Sequence, residues 1–419
     1  MIVMPDWYEA LQPGEVDRQL RDRARAVIPG GMYGHKNVAR LPRGYPQFFS
    51  RGSGALIWDV GGVEYVDLMC SWGPVVLGHR HPAVDAAVER QLKLGDCLDG
   101  PSPVIVELAE LLTDTVAHAD WAMFAKNGTD AMSVAVLVAR AETNRGQVLM
   151  ADGAYHGSAA WSASSDAVGV LAQERAATGR FAYNDVASLE QAVEHCGTDL
   201  AALVVTPIRH DVRRDLEDVT PEFARRAREL CDRVGAVLVL DEVRCGLRTD
   251  PRGSWERLGV RPDLSGWSKA IGNGHPIACL LGIRALESAA SAVSATGSFW
   301  LSAAPMAAAV ATLTQARRPE VLEAMNSAGT TLQSGLRELA TAHRVTVSVS
   351  GPPTMPFMTF DDDNDFDVAR LWAAACVQRG LYLHPTHNWF IGASHTPDLI
   401  ERCLGIADEA FAVLRSARP

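Results

Sequence analysis

Four short, continuously apolar runs constrain this chain more than any other feature: QVLMAD (147–152), LAALVVTP (200–207), AVLVLDEV (236–243) and IACLLGI (277–283). They are rich in β-branched residues and alternate with longer segments of helical character. Runs of this kind without polar alternation indicate strands buried on both faces of a largely parallel sheet, with helices as the crossovers. Residues 120–284 therefore read as an α/β unit.

The flanks have a different character. DRQLRDRARAV (17–27) reads as a polar helix closed by PGG at 29–31. GALIWDVGGVEYVD (54–67) alternates and turns at Gly61-Gly62, as a hairpin does, and helices follow at about 82–94 and 103–117. After a helix near 305–317, RVTVSVSGPP and MPFMTFDDD look like antiparallel strands, with helices at 364–379 and 397–415. The expected division is a large α/β domain over 61–310 and a smaller α+β domain. The smaller one takes residues 311–419, with 1–60 packed beside them.

A net charge of −11 disfavours nucleic acid or anionic membranes as partners. No apolar run approaches the roughly 18 residues needed to cross a bilayer. MIVMPDWYEALQPGE lacks the basic start and apolar core of a signal peptide, so the expected location is the cytoplasm. The eight cysteines are scattered without a C-x-x-C pair and read as reduced thiols. His79 with His81, and His384 with His387, have no carboxylate or thiolate at ligand spacing, so no metal site is expected.

Ligands of open parallel sheets sit beyond the carboxyl ends of the strands, and four stretches fall there. Asp241 terminates AVLVLDEV, with Glu242 next to it. KNGTDA (126–131) puts Gly128 and Thr129 at a helix start, where free N–H groups and a hydroxyl suit an anion. AYHG places Tyr155 and His156 just past QVLMAD. Lys269 is one of only four lysines in the chain and sits among small residues and Trp267. Desolvation there favours a neutral, nucleophilic amine, which a guanidinium never becomes.

Taken singly, these are a turn former, a helix cap, a strand end and a loop lysine. Together they make a phosphate cradle, an aromatic for a flat ring, an acid and an imine-forming amine, which is the set that pyridoxal 5'-phosphate requires. A nicotinamide cofactor lacks its G-x-G-x-x-G fingerprint here.

An ordered series then becomes recognisable: PGG (29–31), IWDVGGVEYVDLMCSWGPVVLGHRHP (57–82), FAKNGTDA (124–131), YHG (155–157), LDEVRCGLR (240–248), SK (268–269), GNGHPIACLLG (272–282) and RGLYLHPTHNWFIGASHT (379–396). It resembles the class III aminotransferases of pyridoxal-phosphate fold type I, nearest the glutamate-1-semialdehyde aminomutase branch. The resemblance implies that Lys269 is the Schiff-base lysine and Asp241 the partner of the pyridine nitrogen. Val243 and Tyr155 would face the two sides of the ring, and Gly128 and Thr129 would hold the phosphate, with His156 beside the cofactor. Ser298 falls where the family reaches the phosphate of a neighbouring subunit, which implies a homodimer with shared sites.

Trp72 is expected to line the substrate pocket, with Tyr33, His35, Lys36, Arg209, His387, Asn388 and Trp389 as further candidates. Glycines 272 and 274 read as room for the cofactor. The sequence also departs from the family in four places. Thr206-Pro207-Ile208, followed by Arg209, His210 and Asp211, replaces the usual Glu-Pro-Val. MYGHKN after PGG lacks an arginine that would hold a substrate carboxylate. The segment between YHG and YND is short for an aminomutase lid, and FWLSAAP (299–305) replaces a Gly-Asn-Pro.

The expected activity is transfer of an amino group between an amine or amino acid and a keto acid or aldehyde. The alternatives are a 2,1-aminomutase or racemase with the same cofactor, and a non-catalytic protein that binds it.

Overall fold

The computed structural model describes residues 4–210 and 214–416. Asp211 lies outside them. Seven strands form the central sheet: β1 Trp121–Ala125, β2 Gln147–Ala151, β3 Thr178–Phe181, β4 Leu200–Val205, β5 Val237–Asp241, β6 Leu264–Trp267 and β7 Ala278–Gly282. Their spatial order is β1-β7-β6-β5-β4-β2-β3. The pairs β6–β5, β5–β4, β4–β2 and β2–β3 are parallel, while β7 runs antiparallel to both of its neighbours.

The alternation along each strand explains why the apolar runs are continuous. Leu203 and Val205 of β4, with Leu238 and Leu240 of β5, pack on helices Val186–Cys196 and Pro221–Val234. Ala202, Val204, Val237 and Val239 face the opposite way, onto helix Gly128–Thr143 and residues of helix Glu287–Ala292. Both faces are covered, so neither could be polar. Helix starts follow local chemistry: the Thr220 hydroxyl accepts from Phe223 N ahead of Pro221, and Asn127 Oδ1 accepts from Asp130 N.

Strands β1, β3 and β6 escape the sequence pattern. The edge strand β3 reads TGRF, and β6 reads LSGW, in which Ser265 is buried on the Trp267 indole N–H. A Cβ on Gly266 would lie 2.4 Å from Met132 sulfur, so helix packing dictates a glycine in mid-strand.

A second sheet joins Phe49–Ser53, the hairpin Leu56–Asp59 and Glu64–Asp67, and Leu381–Tyr382. Leu381 pairs in parallel with Val66, so the beginning and end of the chain share one sheet. A boundary at residue 61 falls inside this hairpin. The strands Val347–Ser350 and Phe357–Phe360 pair antiparallel. Among the described residues, no helix is long and apolar enough to cross a membrane.

Helix Pro319–Ala342 is absent from the sequence reading, because Gly329, Gly335 and several Ser and Thr residues dilute its apolar stripe. Gly329 marks where it lies directly on the chain before Phe357, since a Cβ there would fall 1.8 Å from the Pro353 carbonyl oxygen. Alanine for glycine normally gains about 1 kcal/mol within a helix. Gly329→Ala is expected to lose about 1–3 kcal/mol instead, since backbone must move. Calorimetric unfolding of G329A checks this. In G335A the obstruction is only the Leu404 side chain, and the loss should be smaller.

Candidate active site

The carboxyl ends of β1, β2, β5 and β6 deliver four functional segments to one cavity of about 190 Å³. Its lining includes Gly128, Thr129, Tyr155, His156, Asp241, Val243 and Lys269. These residues, separated by up to 141 positions in the chain (269 − 128), are thus brought together as the sequence reading expects.

Asp241 leaves β5 buried, and both carboxylate oxygens are engaged. Oδ2 accepts from His156 Nδ1 at 2.7 Å, and Oδ1 accepts from Val243 N at 3.0 Å. Stacking near Trp161, with ring planes 11° apart, holds the imidazole in place. Glu242 points away and accepts from Ser254 N at 2.6 Å; burial pushes its carboxyl up to about 7. The two adjacent acids therefore have separate settings, and only Asp241 lines the cavity.

The start of helix Gly128–Thr143 forms another wall. Its first N–H groups have no partner within the helix and concentrate positive potential there. Two close approaches keep this cradle compact. A Cβ on Gly128 would lie 2.7 Å from Val243 Cγ1, and one on Gly157, where φ is +108°, would lie 2.6 Å from Thr129 Oγ1. Thr129 Oγ1 accepts from Ser158 N at 3.1 Å.

Lys269 follows β6 with φ +49°, a left-handed conformation that costs a residue with a side chain roughly 1–2 kcal/mol. Gly73 borders its stem, as a Cβ there would sit 3.5 Å from Lys269 Cδ. Burial, then the neighbouring Arg244 guanidinium, pulls the ammonium down to about 7. Gly272 and Gly274 do not line this cavity. A Cβ on Gly272 would strike Ile277 at 2.7 Å, and Gly274 takes φ +98°. Both glycines serve the turn into β7.

Trp72 heads a neighbouring cluster. Its ring lies 4.8 Å from His35, 4.6 Å from His387 and 5.2 Å from His384, and Lys36 Nζ sits 5.3 Å from its centroid. Burial, then Lys36, takes His384 down to about 4; burial, then Arg244, holds His387 well below its usual range. Burial, then Lys36, also lowers His35. Near pH 7 the imidazoles of His384 and His387 are thus neutral donor–acceptor groups. Trp72 also borders a second cavity of about 290 Å³ that carries Lys36, Ser50, Asp67, Ser71 and His79.

Residues 70–73 all have positive φ, from +45° at Cys70 to +105° at Gly73. Asp67 Oδ1 accepts from Met69 N and Cys70 N, and the buried Arg248 donates to the carbonyls of Gly73 and Ile391.

Other expected residues lie elsewhere. Arg209 pairs with Glu217 at 2.8 Å and does not line the Lys269 cavity. Trp389 stacks on Trp372 in the hydrophobic core, and Tyr33 is largely exposed. Ser298 is exposed on a separate groove with Leu98, Phe124, Trp300 and Leu301. The lining residues outside the expected site set include His210 and Arg244. Arg244 follows Val243 directly, and Asn388 Oδ1 accepts from it at 2.8 Å. Its position one residue beyond the valine expected to pack on the ring was the available signal. Among the described residues no group of His, Cys, Asp and Glu could hold a metal ion.

Comparison with known proteins identifies the family. Residues 39–400 match the family described as aminotransferase class-III. An aminopentol aminotransferase from Sphingopyxis macrogoltabida is 46% identical over 403 residues, covering 96% of this chain and 95% of that protein. A glutamate-1-semialdehyde 2,1-aminomutase from Desulforamulus reducens is 32% identical over 422 residues, covering 94% and 96%. The pyridoxal-phosphate internal aldimine form of the Sphingopyxis sp. MTA144 FumI protein superposes with a TM-score of 0.94 at 46% identity, over 96% of each chain.

Proposed function

The chain belongs to the class-III aminotransferase family and is a pyridoxal-phosphate-dependent enzyme, and from that premise we propose which residues carry the reaction and which substrates it takes. The cavity suits the cofactor. An anion cradle at a helix start lies across it from a buried carboxylate, His156 Nε2 is buried without a hydrogen-bond partner, and glycines stand where a Cβ would collide. When bound, the cofactor supplies an aldehyde for amines and an electron-poor ring that accepts the electron pair released at the substrate carbon.

The chain's own residues divide the remaining tasks. Gly128 and Thr129 hold the phosphate, while Val243 and Tyr155 flank the ring. Asp241 keeps a proton on the ring nitrogen, and His156 orients that carboxylate. Lys269 Nζ would attach the cofactor and, once freed from it, would carry the proton that leaves the substrate carbon. The observation that carries this reading is a depressed, buried lysine amine beside the Asp241–His156 pair.

The depressed amine has a consequence for pH. Lys269 is half neutral near pH 7 rather than above 10. Covalent loading of the apoprotein should therefore quicken about tenfold per pH unit below 7 and level off above it. Stopped-flow absorbance after mixing with pyridoxal phosphate reads this. A rate still climbing at pH 9 contradicts the assignment.

The donor we propose is an amine carrying hydroxyl groups. The neutral imidazoles of His384 and His387 around Trp72 both donate and accept, which suits hydroxyls. The stretch Met32–Asn37 holds no guanidinium for a donor carboxylate. The aminopentol aminotransferase at 46% identity supports this class, and supports transamination over isomerisation. The working form is a homodimer, in which a second copy covers the Ser298 groove and exposed Leu98, Phe299 and Leu301. In the test, holoenzyme is mixed with 2-amino-1-hexanol. Visible absorbance should fall, then return on adding pyruvate, with alanine formed. An isomerised amine from one substrate alone would make the enzyme an aminomutase, and no spectral change would overturn the donor class.

A further inference from the structure

A transaminase that takes an uncharged donor and an anionic acceptor must bind both in one cavity. In a 2-oxo acid the carboxylate is one bond from the reacting carbon, so the cation that holds it must line the same cavity as Lys269. Besides Lys269, Arg244 is the one Lys or Arg among the described lining residues. His156 is committed to Asp241. Burial, then the adjacent Arg244 charge, holds His210 well below its usual range, so it is neutral. Two arginines outside the cavity are engaged elsewhere: Arg209 with Glu217, and Arg248 with backbone carbonyls.

Arg244 itself has no carboxylate partner among the described residues, although burial pulls its guanidinium down to about 10. Its hydrogen-bond partner is the Asn388 amide, which is uncharged. A half-buried guanidinium facing an amide is held in place but not neutralised. An acidic partner in that position would compete with an incoming anion, whereas an amide yields to one.

We propose that Arg244 anchors the acceptor, its guanidinium binding the carboxylate of a 2-oxo acid in the half-reaction that removes the amino group. This rests on the aminotransferase reading above. The net exchange is R–CO–COO⁻ plus the cofactor's CH2–NH2 giving R–CH(NH2)–COO⁻ plus the cofactor's CHO. The ketone oxygen leaves as water when the amine adds, a second water supplies the oxygen of the cofactor's aldehyde, and the amino group and one hydrogen pass to the acceptor carbon. Arg244 takes no part in these bonds. It fixes the carbonyl in reach of Lys269, and an acceptor without a carboxylate gains nothing from it.

The test compares pyruvate with butanal as acceptors for the amino-loaded holoenzyme, each read as a second-order rate constant by stopped-flow absorbance. In R244M the pyruvate-to-butanal ratio should fall about 100-fold relative to wild type. In R244K, which keeps the charge but loses the fork, it should fall about tenfold. Calorimetric titration of the holoenzyme with propionate gives a readout without turnover, and its affinity should drop at least tenfold in R244M. A ratio within threefold of wild type in both variants, or equal loss of pyruvate and butanal, overturns the proposal. If R244M does not fold, R244K decides alone. A wild-type enzyme that converts no amine would overturn the functional reading instead, and the propionate titration then still decides Arg244.

Discussion

Lys269→Ala should lower transamination by at least about four orders of magnitude, because in the proposed assignment one amine both attaches the cofactor and carries the proton. Arginine cannot rescue it, since a guanidinium neither forms an imine nor deprotonates near neutral pH. Burial and Arg244 together leave this lysine largely neutral just above pH 7, unlike a lysine in water. Borohydride reduction followed by peptide mass spectrometry should find the cofactor on Lys269 in the wild type and on no residue of K269A. The stringent control is Lys126. Its Nζ is buried and without a hydrogen-bond partner, and it lies two residues before Gly128. An adduct on Lys126, or activity of K269A within tenfold of wild type, would refute the assignment.

The second large effect is expected at Asp241. Asp241→Asn retains an oxygen that can accept one of the two present hydrogen bonds but loses the charge proposed to keep a ring nitrogen protonated. Turnover should fall by about three orders of magnitude or more, as expected when a preorganised charge is removed from a water-poor site. Asparagine is the informative change. Alanine would leave both His156 Nδ1–H and Val243 N–H without acceptors, confusing catalysis with stability at about 1–3 kcal/mol for each buried group. Single-turnover kinetics with a saturating amine measure the chemical step, and thermal unfolding of the apoprotein checks the fold. A loss of less than tenfold would mean that another group protonates the ring.

Much of this site is legible in sequence because parallel sheets put ligands at strand ends. Asp241 ends β5, Tyr155 and His156 follow β2, and Lys269 follows β6. The apolar runs that mark β2, β4, β5 and β7 are the strands most deeply covered by helices. What stayed hidden has physical reasons. Strand β6 owes its serine and glycine to an indole N–H and a methionine sulfur, which are tertiary demands that no local period records. The reversed direction of β7 depends on how its ends are connected, not on its composition. The pairing of Leu381 with Val66 spans most of the chain. Arg244 is easily overlooked for a different reason: inside LDEVRCGLR it looks like any charged residue, and the cavity shows that no acid among the described residues answers it.

The run of left-handed residues from Cys70 to Gly73 bears on how such an enzyme changes its diet. Each non-glycine residue there carries a conformational penalty, and the Asp67 carboxylate and the buried Arg248 offset it through several hydrogen bonds at once. Lengthening or shortening this turn would forfeit all of those bonds together, so the Trp72 wall is intolerant of insertions. With Trp72 lining the substrate pocket as proposed, selection for a new substrate is then channelled into side-chain exchange at Trp72 and the imidazoles around it, while the backbone stays put. In a chamber built this way, specificity drifts by composition and not by loop length.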